Sequence, residues 1–374
     1  MTIDSTMLIS NIDLHNIDDN TIEPQIIEPI IEEDEKKSEE TLKEEDSEVS
    51  EQSVKLEYPE RKLHGSEVSV RLSLLGKTAD GDGYTYLKAK CTGMKLTDIS
   101  AICAFKHLLY VNVSDNFLTL DSLQVITTLP YLVLIHADKN LLQSAALKPM
   151  KYMQVMILNN NEIIAVNNVY QSELSTLEAG YNKIEKIEFD KRMETIKVLD
   201  FRYNFISDLS NLDFVNLDSL YLAGNKIRSL EGIGKLVNLR ILHVRDNPIR
   251  LLNGFEPDMK KLQYVNLRDC KVMTHKQIKK LRVLEGLDTI ILRGCPIMGA
   301  IDDDAEVEED SELRVEILAT LPRLKRINKG IVTPEERTEA NNLLKEWIEE
   351  EEVNEEESEG EEELTSEEKS LDMP

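Results

Sequence analysis

The chain has 374 residues, of which 31% are Asp, Glu, Lys or Arg, and a formal net charge of −27. That charge is uneven: residues 1–65 hold 19 acids and 6 bases, residues 348–374 hold 14 acids and 1 base, and residues 66–347 hold 38 acids and 37 bases. The acidity belongs to the ends and the body is near neutral, so the overall charge says little about a binding surface. No apolar run reaches the roughly 18 residues needed to span a bilayer. The first twenty residues lack the basic start and apolar core of a secretory signal. Cys91, Cys103, Cys270 and Cys295 form no CxxC pair and no metal-ligand spacing with the histidines. Free thiols in a reducing compartment are therefore expected, with Asn112-Val113-Ser114 a chance sequon.

In chain order, residues 1–65 are polar, acidic and poor in aromatics, which predicts a disordered tail. An apolar-Glu-Pro phrase at Ile22-Glu23-Pro24 recurs at Ile27-Glu28-Pro29 within it. Residues 66–85 read as an N-terminal cap, with Val68, Val70, Leu72, Leu74 and Leu75 ahead of a turn-rich stretch at 79–83. A template LxxLxLxxNxL then recurs over 86–330, clearest at Leu217, Leu220, Leu222, Asn225, Ile227 and Leu230. Its asparagine place falls at residues 94, 116, 140, 161, 182, 204, 225, 247, 270 and 295, in steps of 21 to 25 residues, with Met94, Cys270 and Cys295 as the exceptions. An acidic run at 302–312, eight acids and no base, interrupts the last full unit. It is expected to shield neighbouring arginines when no partner is bound. A truncated unit from Leu321 to Asn328 follows. A closing helix over 331–348 is predicted, with Thr333 and Glu336 forming a capping box and Pro334 at its first position. Its apolar residues Ala340, Leu343, Leu344, Trp347 and Ile348 share one face, which either packs on the last unit or docks a partner. Residues 349–374 form a second disordered acidic tail.

The spacing dictates the fold. Positions four and six of each unit are two apart, so both side chains enter the core from one side of a short strand. The asparagine turns the chain, and its amide must be satisfied by backbone groups of adjacent turns. One unit alone cannot bury its stripe, whereas ten stacked units can. The class is α/β: a leucine-rich-repeat solenoid with a curved parallel sheet on the concave face. Short helical or 3₁₀ segments, and none longer, lie on the convex face.

The place after position six projects onto the concave face and reads Thr92, Ser114, Asp138, Asn159, Gly180, Arg202, Ala223, Arg245, Arg268 and Arg293. Four arginines in the C-terminal half, with Tyr181, Tyr203, Tyr221 and Tyr264 beside them and His243 between Tyr221 and Asn266, have the composition of an interface hot spot. Asp200, Asp246 and Asp269 stand close enough to neutralise them into an ordinary solvated ladder. His136 and His243 lie several units apart without converging ligands. No metalloprotease, serine-hydrolase, phosphate-loop or paired-carboxylate motif occurs. Binding of proteins is expected, without catalysis, cofactor, metal, nucleic acid, membrane or small-molecule substrate.

Further phrases extend beyond the generic repeat: Leu72-Ser73-Leu74-Leu75-Gly76-Lys77-Thr78, Leu96-Thr97-Asp98-Ile99, Tyr110-Val111-Asn112-Val113-Ser114-Asp115-Asn116, Leu242-His243-Val244-Arg245-Asp246-Asn247, Leu262-Gln263-Tyr264-Val265-Asn266-Leu267-Arg268, Pro322-Arg323-Leu324-Lys325-Arg326-Ile327 and Glu335-Glu336-Arg337-Thr338-Glu339-Ala340. With them the chain resembles the leucine-rich repeat-containing protein 23 family over roughly residues 72–347. The resemblance implies a cytoplasmic, axonemal protein of motile cilia and flagella. It would be a non-catalytic subunit of the third radial spoke near its head, needed for beating and bound to other spoke subunits. The cysteines at asparagine places, the acidic insertion and the wording of the tails depart from the family and leave its partners open. The repeat is also similar to leucine-rich regulators of serine/threonine phosphatases. The acidic tail is similar to that of nuclear histone-binding leucine-rich proteins, whose acidic tract is longer and unbroken.

Overall fold

A computed structural model describes residues 58–78, 81–299 and 311–349. The tails outside 58–349, the first two residues of the 79–83 turn, and the acidic run up to residue 310 lie outside the described residues. Within the body, strands β1 (Leu72–Lys77) and β2 (Tyr84–Lys90) form an antiparallel hairpin. Strands β3 (Tyr110–Asn112), β4 (Leu134–His136), β5 (Val155–Ile157), β6 (Thr176–Glu178), β7 (Val198–Asp200), β8 (Ser219–Tyr221), β9 (Ile241–His243), β10 (Tyr264–Asn266) and β11 (Thr289–Ile291) follow. Each pairs in parallel with its sequence neighbours, from β2 through to β12 (Arg326–Ile327), and β12 turns back antiparallel onto β13 (Gly330–Ile331). The register aligns like with like. Val111, Ile135, Met156, Leu177, Leu199, Leu220, Leu242, Val265 and Ile290 form one buried row, and the leucine-rich-repeat solenoid of the sequence is the observed fold.

The asparagines form the expected buried ladder. Asn225 shows the pattern: its Nδ2 donates to the carbonyls of Phe201 (2.9 Å), Leu222 (3.0 Å) and Ala223 (3.2 Å), and its Oδ1 accepts from Ile206 N–H (3.0 Å). At the cysteine rungs, the Cys270 thiol donates to Val244 O (3.3 Å) and the Cys295 thiol to Leu267 O (3.0 Å). Burial pushes both thiols above the usual cysteine range, Cys295 to about 11. All four cysteines are free. The ladder closes on Asn328, whose Oδ1 accepts from Leu292 N–H (2.7 Å) and Arg293 N–H (2.9 Å).

Two end regions differ from expectation. The ordered body begins before residue 66: Leu63 is buried in the core, Lys62 bridges to Asp98, and Glu67 holds Arg61 from the short helix α1 (Gly65–Ser69). In the front cap only Val68 and Leu72 reach the core. Val70, just past the end of α1, is exposed, and Leu74 and Leu75 are exposed because the hairpin runs past the edge of β3, which pairs β2 at residues 88–90 alone. The return segments are short, as in α2 (Leu120–Leu123), α3 (His275–Lys279) and several 3₁₀ turns. The exception is α4 (Ser311–Thr320), ten residues long, which takes in the last two residues of the 302–312 run. The closing helix α5 spans 334–349 and both halves of its capping box form, with Thr333 N–H to Glu336 Oε2 at 2.7 Å and Glu336 N–H to Thr333 Oγ1 at 3.2 Å. Arg314 on α4 is buried and joins the end together, donating to Glu336 (2.8 Å) and to Ile327 O (2.7 Å). No helix among the described residues is long and apolar enough to cross a membrane.

Candidate protein-interaction face

The strands present two outward columns on the open face of the sheet. The register places His136, Ile157, Glu178, Asp200, Tyr221, His243, Asn266 and Ile291 side by side. Two residues further along each turn stand Asp138, Asn159, Gly180, Arg202, Ala223, Arg245, Arg268 and Arg293. Neighbouring strands lie about 4.8 Å apart, so side chains on successive strands touch. Tyr221 and His243 stack with ring centres 4.9 Å apart, and His243 stacks in turn on Tyr264 at 4.8 Å. His243 is thus held between two tyrosines, with Tyr264 rather than Asn266 as its second ring neighbour. Burial, together with Arg202 and Arg245, lowers its pKa to about 4, so it is a neutral ring at physiological pH.

Tyr181 and Tyr203 occupy a different place, the residue just before the ladder asparagine. There the backbone is left-handed in every unit: Asp115, Lys139, Asn160, Tyr181, Tyr203, Gly224, Asp246 and Asp269 all have φ between 52° and 65°. For a bulky L-residue this conformation is unfavourable by about 1–2 kcal/mol. The two tyrosines accept that strain and stack, ring centres 4.4 Å apart. Gly224 makes the arrangement possible, because a Cβ there would lie 2.3 Å from Tyr203 Cδ1.

The arginines divide into two kinds. Arg202 is paired with Asp200 at 2.6 Å, and Arg268 with Asp269 at 3.0 Å, as the neutralised-ladder reading expects. Arg245 instead donates through Nη2 to Tyr203 Oη at 3.1 Å, and Asp246 makes no ion pair with it. Arg293 is half-buried, and no carboxylate among the described residues pairs with its guanidinium. Arg202 also lies 5.8 Å from the Tyr221 ring centre. No group of three His, Cys, Asp or Glu among the described residues is arranged to hold a metal.

Comparison with known proteins bears on this array directly. The family model for Leucine Rich repeats (2 copies) matches residues 215–257, which include Tyr221, His243 and Arg245. Leucine-rich repeat-containing protein 23 of Bos taurus is 32% identical over 274 residues, covering 73% of this chain and 77% of its own length. The Homo sapiens protein of that name is 31% identical, with 75% and 79% covered, and that of Xenopus tropicalis 34%, with 75% and 77% covered. The chain belongs to the leucine-rich repeat-containing protein 23 family. Among solved structures, the functional domain of InlJ from Listeria monocytogenes is 16% identical, covers 65% of this chain and 53% of its own, and has a TM-score of 0.42.

In this member of the family, α5 sets Leu343, Leu344 and Trp347 half-buried against the core, with Ala340 fully inside. The helix is therefore an end cap, and Leu344, Trp347 and Ile348 also border a groove of about 430 Å³ walled by Leu281, Leu284 and Leu321. The sequence reading missed the acidic part of the open face. Asp138 accepts from Asn159 N–H at 2.7 Å and lies 3.2 Å from His136. Glu178 accepts from Asn159 Nδ2 at 3.2 Å, and burial together with Asp200 raises its carboxyl pKa. Position five of the repeat, the place just before the second core leucine, holds Glu178 and Asp200 and would have disclosed this half.

Proposed function

We propose that this family member is a non-catalytic scaffold subunit of the ciliary or flagellar axoneme, seated in the third radial spoke near its head and needed for beating. In this reading it sits in the cytoplasmic axoneme and holds neighbouring spoke subunits through the open face of its repeats. The spoke assignment rests on the family resemblance. The binding role rests on one observation: Arg245 and Arg293 stand on the face without a carboxylate partner among the described residues, beside a block of stacked aromatic rings. A half-desolvated arginine next to tyrosine is the composition of interface anchors.

The test is fractionation. Tagged protein should stay with detergent-extracted axonemes and be lost from spokes lacking head-proximal subunits. Recovery with a soluble serine/threonine phosphatase, or in nuclei with histones, would replace the reading by the corresponding alternative.

A further inference from the structure

The open face changes sign along the stack. Among the described residues, Asp138 on the turn after β4 and Glu178 on β6 form no ion pair with Lys or Arg; their polar side-chain contacts are Asn159 and His136. Asp200 and Arg202 cancel one another at the boundary. Beyond it the turns after β9, β10 and β11 carry Arg245, Arg268 and Arg293, of which Arg268 alone makes an ion pair with a carboxylate among the described residues. Asp246, exposed beside Arg245, is the acid that dilutes this side. From the turn after β6 to β10, joining the acidic half and overlapping the basic one, lie Tyr181, Tyr203, Tyr221, His243 and Tyr264 in two stacks.

The face offers side chains alone. Every strand from β3 to β11 is paired on both sides, so no backbone N–H or C=O row is free to join an added strand. An extended segment laid across it would leave its own peptide groups unpaired, whereas a helix satisfies them internally. From β4 to β11 is seven strand spacings, about 34 Å at about 4.8 Å each. A helix rising about 1.5 Å per residue crosses that distance in about 22 residues.

Resting on the reading of the open face as the binding surface, we infer that its ligand is one amphipathic α-helix of a partner protein, bipolar in charge. Its basic end lies over Asp138 and Glu178, its apolar middle over the tyrosine and histidine rings, and its acidic end over Arg245 and Arg293. The opposite orientation sets like charges together at both ends, so the face fixes the direction of the bound helix as well as its identity. Tyr181 and Tyr203 support this assignment independently: the fold holds two bulky residues in left-handed backbone to keep rings at the centre of the face, where glycine would be unstrained.

The experiment uses the full chain and a display library of randomised helical peptides about 22 residues long. Selection should enrich peptides with Lys or Arg clustered at one end, Asp or Glu at the other and apolar residues between. Paired variants Asp138→Asn with Glu178→Gln, and Arg245→Ala with Arg293→Ala, should each weaken selected peptides about ten-fold, every variant being checked by circular dichroism to be folded at the temperature of the binding assay. Each pair should relax selection at its own end only. Enrichment of acidic clusters alone, sensitive to the arginine pair and indifferent to the acid pair, overturns the bipolar helix and leaves the binding face standing. No enrichment, or binders indifferent to all four substitutions, overturns both.

Discussion

Arg245 donates to the hydroxyl of Tyr203, which lies two turns back along the stack at 3.1 Å, so an arginine on one strand is aimed by a ring held in a strained turn. Tyr203→Phe keeps the ring and removes the acceptor. In a double-mutant cycle with Arg245→Ala, urea denaturation should give a coupling energy of about 0.5–1.5 kcal/mol. Strict additivity would mean that the bond does not persist in solution.

Gly224 is the seat on which the Tyr203 ring rests. Gly224→Ala forces a side chain into left-handed backbone and into the ring, and should lower stability by about 1–3 kcal/mol. In a Tyr203→Ala background the clash disappears, leaving about 1 kcal/mol of backbone strain. An equal loss in both backgrounds counts against the packing described.

The rungs of the ladder are unequal. Asn225→Ala leaves Ile206 N–H without its acceptor in a dry interior and removes one donor from three carbonyls that keep Asn204, Asn247 and Tyr203 N–H, which should destabilise the body by about 2–3 kcal/mol. Cys270→Ala removes a single S–H···O contact and should be milder, at about 1 kcal/mol. Chemical denaturation of the two variants side by side tests the ordering.

His243 makes stability depend on pH. Its folded pKa, about 4, lies below the ordinary histidine value of 6.5, because burial between Tyr221 and Tyr264 and the nearby Arg202 and Arg245 oppose a positive charge on the ring. Between those two values the unfolded chain binds a proton that the folded chain does not, so stability falls as pH drops from 6.5 toward 4. Below the folded value both states are protonated and this contribution is gone. Denaturation midpoints across this window should slope in that sense, and His243→Gln should flatten the slope.

Much of this was legible in the sequence because the repeat forces it. A period near 22 residues, with leucines two apart and an asparagine three further on, leaves one way to bury the stripe and satisfy the amide. Asn116 to Asn247 and the buried strand row follow from that constraint. The left-handed turn before each asparagine was not read, although Gly224, Asn160 and Asp246 at that place carry the signal; Tyr181 and Tyr203 override local preference there. Helix α4 escaped because its buried residues include Arg314 and the consecutive run 317–320, which is no helical stripe. Val70 and Leu75 misled for the opposite reason, being apolar and outside. The paired state of each arginine depends on side-chain geometry that spacing does not specify.

The two cysteine rungs fall under β10 and β11, the strands whose turns carry Arg268 and Arg293. A thiol gives one weak donor where the asparagine amide gives two hydrogens and an acceptor, so the solenoid is less tightly laced here than along Asn116 to Asn247. Local opening should begin there. A ligand seated on those arginines would then close a loosely laced stretch of the stack, and binding at this end would be felt along the chain as stiffness.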